Sequence, residues 1–159
     1  MSRFWTNWLV IWCWGVLAFG VLLVTAAIPA IDSLARQLFS LFAANPANAA
    51  AFDQPAVRFG LGLQGALTIG WSLTLFALID AAKTIGTPVW RALTLSLLAW
   101  YAIDSAISIA TGFWPNAISN TALMIAFAIP ILASRPATSD GRPSCSAAIS
   151  TACSQGRTR

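Results

Sequence analysis

The residues best placed to do chemistry lie in one stretch, "WYAIDSAISIATGFWPNAISNTALMIAF", residues 100–127. It puts a carboxyl, Asp104, inside an apolar segment and surrounds it with Ser105, Ser108, Asn116 and Asn120. At 3.6 residues per turn, Thr94, Tyr101, Asp104, Ser105, Ser108, Thr111 and Gly112 share one side of a helix. Leu95, Ala99, Ala102 and Ile103 occupy the opposite, apolar side. A carboxylate at the centre of a membrane helix costs roughly 2.5–3.5 kcal/mol to insert. The acid is therefore expected to face protein rather than lipid, about 12 Å inside Gly112 at about 1.5 Å rise per residue.

Depth suggests its partners. A hairpin folded about Trp114 brings Ser108 level with Asn120, and Asp104 level with Met124. Gln64, about 9 Å beyond Arg58 on another span, reaches a similar depth, and Arg58 can snorkel inward. Arg58, Gln64, Thr68, Asp104, Ser108, Asn116 and Asn120 thus form a candidate polar cluster. Two chemistries fit it. One is interhelical glue, where Asp104 accepts hydrogen bonds that fix helix register. The other is a polar pocket in which Asp104 binds a cation or exchanges a proton.

Much other chemistry is closed off. The 159 residues include no His and no Glu, and all five acids are Asp. Histidine-ligated metal sites and a Ser-His-Asp triad are therefore unavailable. Cys13, Cys145 and Cys153 make no CxxC pair, so no redox couple or metal knuckle is suggested. No enzyme activity, metal or cofactor is expected.

The elements that position Asp104 follow from composition. The chain is 58% hydrophobic and 9% charged, with mean hydropathy +0.74; soluble domains carry about 25% charge. The net charge of +4 lies outside the apolar runs and lacks the clustering of a nucleic-acid footprint. Four runs are long enough to span hydrocarbon, at about 20 residues each: residues 4–28, 59–79, 89–112 and 117–134. None alternates as a barrel strand would. The expected fold is an all-α, four-helix transmembrane bundle, residues 1–135, followed by a disordered tail, residues 136–159, rich in Ser, Thr, Gly and Pro. The first run exceeds the about 7–15-residue core of a signal peptide and is read as a retained span.

Charge placement sets the expected orientation. Arg3, Lys83, Arg91, Arg135 and Arg142 fall on one side, against Arg36 and Arg58 on the other. Both termini are expected in the cytoplasm. Phe4, Trp5, Trp8 and Trp90 then anchor the inner interface and Trp114 the outer one. On the outer side "AIDSLARQLFSLFA" places Ile31, Leu34, Leu38, Leu41 and Phe42 on one face, with an Asp32–Arg36 pair elsewhere. It reads as a short interfacial amphipathic helix or a helix packed over the bundle mouth. On the second span, Gly62, Ala66 and Gly70 make a small-residue ridge for close helix packing. That ridge serves either the bundle itself or a homodimer.

The signature "WYAIDSAISIATGFWPNAISNT", with "GLGLQGALTIGW" on the second span, resembles small bacterial inner-membrane proteins of unknown function. The four-span outline is broadly similar to DoxX-like proteins. The resemblance spans residues 1–135 and implies fold and inner-membrane location alone. Small multidrug transporters share the four-span plan but use a Glu in the first span, which has no acid here. Quinone-linked thiol oxidoreductases need paired cysteines, which are missing. The expected partners are the lipid bilayer and a second copy or another membrane protein, with no nucleic acid. The expected function is non-enzymatic partner binding in the membrane, with small-solute or proton-linked transport through Asp104 as the alternative.

Overall fold

The computed structural model describes residues 2–134. The expected tail, residues 136–159 with Arg142, lies outside them, as does Arg135. The described chain is all-α: α1 Arg3–Thr25, α2 Ser33–Phe42, α3 Pro46–Ala50, α4 Pro55–Ile85, α5 Thr87–Ala110 and α6 Trp114–Ala133. Short 3-10 turns at Pro29–Ile31 and Ala51–Asp53 punctuate the long connection. Four helices, α1, α4, α5 and α6, are long and apolar enough to cross a membrane. This is a multi-pass membrane protein.

The spans form a ring in which α1 packs on α4 and α6, and α5 packs on the same two neighbours. Single glycines make the sharpest turns. Gly86, at φ 88°, joins α4 to α5, and Gly112, at φ 81°, follows α5. At Gly112 the Phe113 N–H reaches the Ser108 carbonyl (2.7 Å) and the Gly112 N–H reaches Ile109 (3.3 Å). That pair of bonds is a Schellman stop, which needs the left-handed backbone glycine adopts freely.

The seam between α1 and α4 is set by two glycines rather than by the anticipated ridge. A Cβ at Gly65 would stand 2.6 Å from the Gly20 carbonyl oxygen and from the Val24 nitrogen. One at Gly20 would stand 3.0 Å from the Gly65 carbonyl oxygen and the Ile69 nitrogen. Gly62 meets only the Ala27 methyl, and Gly70 has no neighbour within 4 Å. Ala66 is exposed. Of the stripe, Gly62 alone packs in the bundle, against Ala27, while Ala66 and Gly70 stay open, because the face of α4 turned to α1 runs through Gly65, Thr68, Ser72, Leu75 and Ile79.

Apolar packing is concentrated away from that crossing. Leu9, Cys13, Val16, Leu75, Ile79, Leu93, Leu97 and Phe127 are buried together in the half nearer the α1 N-terminus. Ala26, Ala35 and Phe52 form a smaller cluster at the opposite end, under α2. We call this the capped end. Helix α2 combines both expected roles. Ala35 is buried and Phe39 packs against Phe52 and Phe113, while Ile31, Leu34 and Leu41 are more than half exposed. That outward stripe is the apolar face an interfacial helix presents to lipid.

Pro130 continues α6 rather than ending it, but it has no N–H to offer the carbonyl four residues back, Ala126. In hydrocarbon an unmatched carbonyl is costly. The Trp8 indole N–H of α1 donates to that carbonyl at 2.8 Å, and Trp12 donates to the Leu123 carbonyl at 3.0 Å. Trp8→Phe should therefore destabilise the bundle by about 1–3 kcal/mol, and the loss should shrink in Trp8→Phe/Pro130→Ala, where an alanine N–H replaces the indole. A double-mutant cycle of unfolding in mixed detergent micelles measures this; additive losses would refute the coupling.

Candidate functional site: a polar layer and a charged clasp

Between the two apolar clusters, α5 and α6 carry the polar layer. The Asp104 Oδ2 accepts hydrogen bonds from Asn120 Nδ2 (2.6 Å) and Asn116 Nδ2 (3.4 Å). Asn116 also donates to Ser108 Oγ at 2.9 Å, and Ser108 returns its own proton to the Asp104 carbonyl. Asn120 and Ser108 are buried, and Asp104 is half-buried on the same face as Leu97 and Leu93. Tyr101 and Thr121 share a hydroxyl–hydroxyl bond at 3.1 Å on the flank of this layer. There a shallow groove of about 280 Å³ opens between α5 and α6, lined by Tyr101, Ser105, Trp114 and Thr121 among others.

The register differs from the expected one by a turn of α6. Asp104 is level with Asn120, not Met124, and Ser108 is level with Asn116, not Asn120. The hairpin pivots on Gly112, two residues before Trp114, because Gly112 supplies the left-handed turn. Asp104 thereby gains both amides as direct donors.

Three expected members of the cluster are elsewhere. Gln64 is exposed on α4, and Thr68 donates to the Gln64 backbone carbonyl within that helix. Arg58 belongs to a separate clasp at the capped end. Its guanidinium donates to Asp32 Oδ2 (2.7 Å), Asp53 Oδ1 (2.8 Å) and the Ala26 carbonyl (2.9 Å). Arg36 forks onto both oxygens of Asp53, at 2.7 and 2.8 Å, and touches Asp32 at 3.2 Å. The physical reason is proximity. Arg58 stands in the first turn of α4, beside two carboxylates, and reaching Asp104 would mean surrendering those pairs to enter hydrocarbon.

The clasp joins the end of α1, α2, the 51–53 turn and α4, with both guanidinium groups within 5 Å of the buried Phe52 ring. Hydrogen bonds from Arg36, then Arg58, hold the Asp53 carboxyl well below the usual carboxylate range. The cap is fastened to the other hairpin as well. Ala44 N–H and Asn48 Nδ2 both donate to the Gly112 carbonyl, at 3.2 and 3.3 Å. Reading the sequence alone gave the Asp32–Arg36 pair at helical spacing; Asp53 and Asn48 were missed, since loop residues brought together by tertiary folding leave no periodic signal.

With Arg58 committed, Asp104 has no cationic partner among the described residues. Its second oxygen, Oδ1, accepts no hydrogen bond from them. Nor is that atom sealed in, since the one enclosed side-chain polar atom without a partner among the described residues is Ser134 Oγ. The layer is thus a carboxyl held by two amides through one oxygen, with the other oxygen free to engage a ligand.

Comparison with protein-family models, with curated proteins and with solved structures returned no match.

Proposed function

We propose that this chain is a non-enzymatic, four-span protein of the bacterial inner membrane whose work is to bind a partner helix within the bilayer. The simplest such partner is a second copy of itself. One observation carries the reading: Ala66 and Gly70 form an open, small-residue face of α4 that nothing in the bundle covers. A mid-helix glycine costs about 1 kcal/mol relative to alanine. Gly20 and Gly65 offset that cost through close backbone approach; Gly70 has no such compensation inside the molecule. Small residues at this spacing let a second helix come near. The absence of His and Glu from the sequence supports the non-enzymatic part.

In a chain whose native cysteines are replaced, cysteine at 66 or 70 should cross-link two copies in native membranes, whereas cysteine at the exposed Leu95 should not. Gly70→Leu should reduce association without reducing thermal stability. Equal cross-linking from all three positions would end this reading.

Both termini are assigned to the cytoplasm. Arg3, Lys83 and Arg91 are exposed at the uncapped end, while at the capped end Arg36 and Arg58 are neutralised by Asp32 and Asp53. Orientation follows the bias of Lys and Arg between the two sides, and the uncapped end carries three of these five cations. A periplasm-dependent phosphatase fused after residue 134 should be silent, and activity there would reverse the assignment.

A second reading, transport of a small solute or proton by way of Asp104, is favoured by an Oδ1 that accepts no hydrogen bond and by the lack of a cationic partner, both among the described residues. Membrane-embedded acids that lack an ion-pair partner mark ligand or proton sites more often than lipid contacts.

A further inference from the structure

Helices α4 and α5 touch through Trp71 and Trp100, whose rings lie 5.3 Å apart. Toward the capped end, the same faces of both helices become exposed. On α5, seven and eleven residues beyond Trp100, these are Ile107 and Thr111; on α4, seven and eleven before Trp71, they are Gln64 and Gly60. The two helices part above the tryptophan contact. Asp104 stands one turn above Trp100, so the two residues occupy adjoining positions, i and i+4, on α5.

From this geometry we propose that the parting between α4 and α5 is a binding site for a lipophilic organic cation, a quaternary or protonated amine or a phosphonium with an apolar body. The chemistry selects that class. A cation with aryl or alkyl substituents needs one opposing carboxylate and aromatic faces, and Asp104 Oδ1 with Trp100 and Trp71 supplies both. A hard metal ion needs six or more oxygen ligands, whereas the amides here turn their N–H groups on the acid. The apolar body enters sideways from the bilayer between Ile107 and Gln64, with no need for an aqueous path. The inference rests on the second reading above and names its solute.

Tetraphenylphosphonium is the probe, with the protein in nanodiscs and binding followed by equilibrium dialysis. Saturable binding is expected, weakened at least tenfold in Asp104→Asn and about three- to thirtyfold in Trp100→Leu, with Asp104→Glu retaining it. Neutral triphenylphosphine oxide should not compete. Unchanged affinity in Asp104→Asn, or equal competition by the neutral compound on the unaltered protein, overturns the proposal. The competition test holds even if the variants do not fold. Proteoliposome flux separates the two ideas. Binding without uptake keeps the site and removes transport, whereas Asp104-dependent proton flux without binding removes the site and keeps transport.

Discussion

Gly65→Ala should cost the bundle about 3 kcal/mol, the upper part of the usual overpacking range. The added methyl would collide with backbone on two sides, the Gly20 carbonyl and the Val24 amide, both 2.6 Å away. Backbone atoms held in a helix cannot rotate aside as a side chain can, so the whole α1–α4 seam must open. Gly70→Ala makes the control. The same chemical change on the same helix meets open space and should stabilise by about 0.5–1 kcal/mol, since alanine forms helix better than glycine. Unfolding of the two variants in mixed micelles should therefore shift in opposite directions. A common direction would mean the seam is not where the Gly20–Gly65 contact places it.

The second large effect concerns the polar layer. Asn120→Leu removes the 2.6 Å donor to Asp104 and leaves the carboxyl with only the longer, 3.4 Å contact from Asn116, at a cost of about 2–3 kcal/mol. Removing both members behaves differently. Asp104→Leu/Asn120→Leu deletes a mutually dependent pair, and when both partners become apolar the change is close to neutral. Recovery of stability in the double variant, read against either single one, identifies the pair as interdependent. If the double variant is worse than Asn120→Leu alone, the layer holds the fold through contacts other than this bond.

Much of the architecture was written in residue types. Four apolar runs, three of them without a charge, define the spans, because a bilayer permits few alternatives to helices of that length. The helix ends moved outward at α4, which begins at Pro55 and runs to Ile85; polar flanking turns can stay helical once they leave the hydrocarbon. Within the site, the acid and both asparagines were legible because i,i+4 spacing puts Asp104 with Ser108 and Asn116 with Asn120 on shared faces. Which layer met which was not legible. One left-handed glycine shifted the α5–α6 register by a turn of α6, and sequence spacing carries no information about that pivot. Arg58 was misassigned for a related reason. Depth along a helix says how far a side chain could reach, and nothing about the nearer carboxylates, Asp32 and Asp53, that fold back over it from a loop.

Between the clasped Arg58 and the exposed Asp80, α4 carries twenty-one uncharged residues, a rod of about 32 Å. This is close to the about 30 Å of a typical hydrocarbon slab. With one end riveted to the cap and the other marked by an Asp80–Lys83 pair, neither end slides freely into oil. In a thinner sheet the rod must lean, and because α1 is locked to it at Gly20 and Gly65, the pair leans together. The tilt of the α1–α4 pair therefore follows the thickness of the bilayer around it.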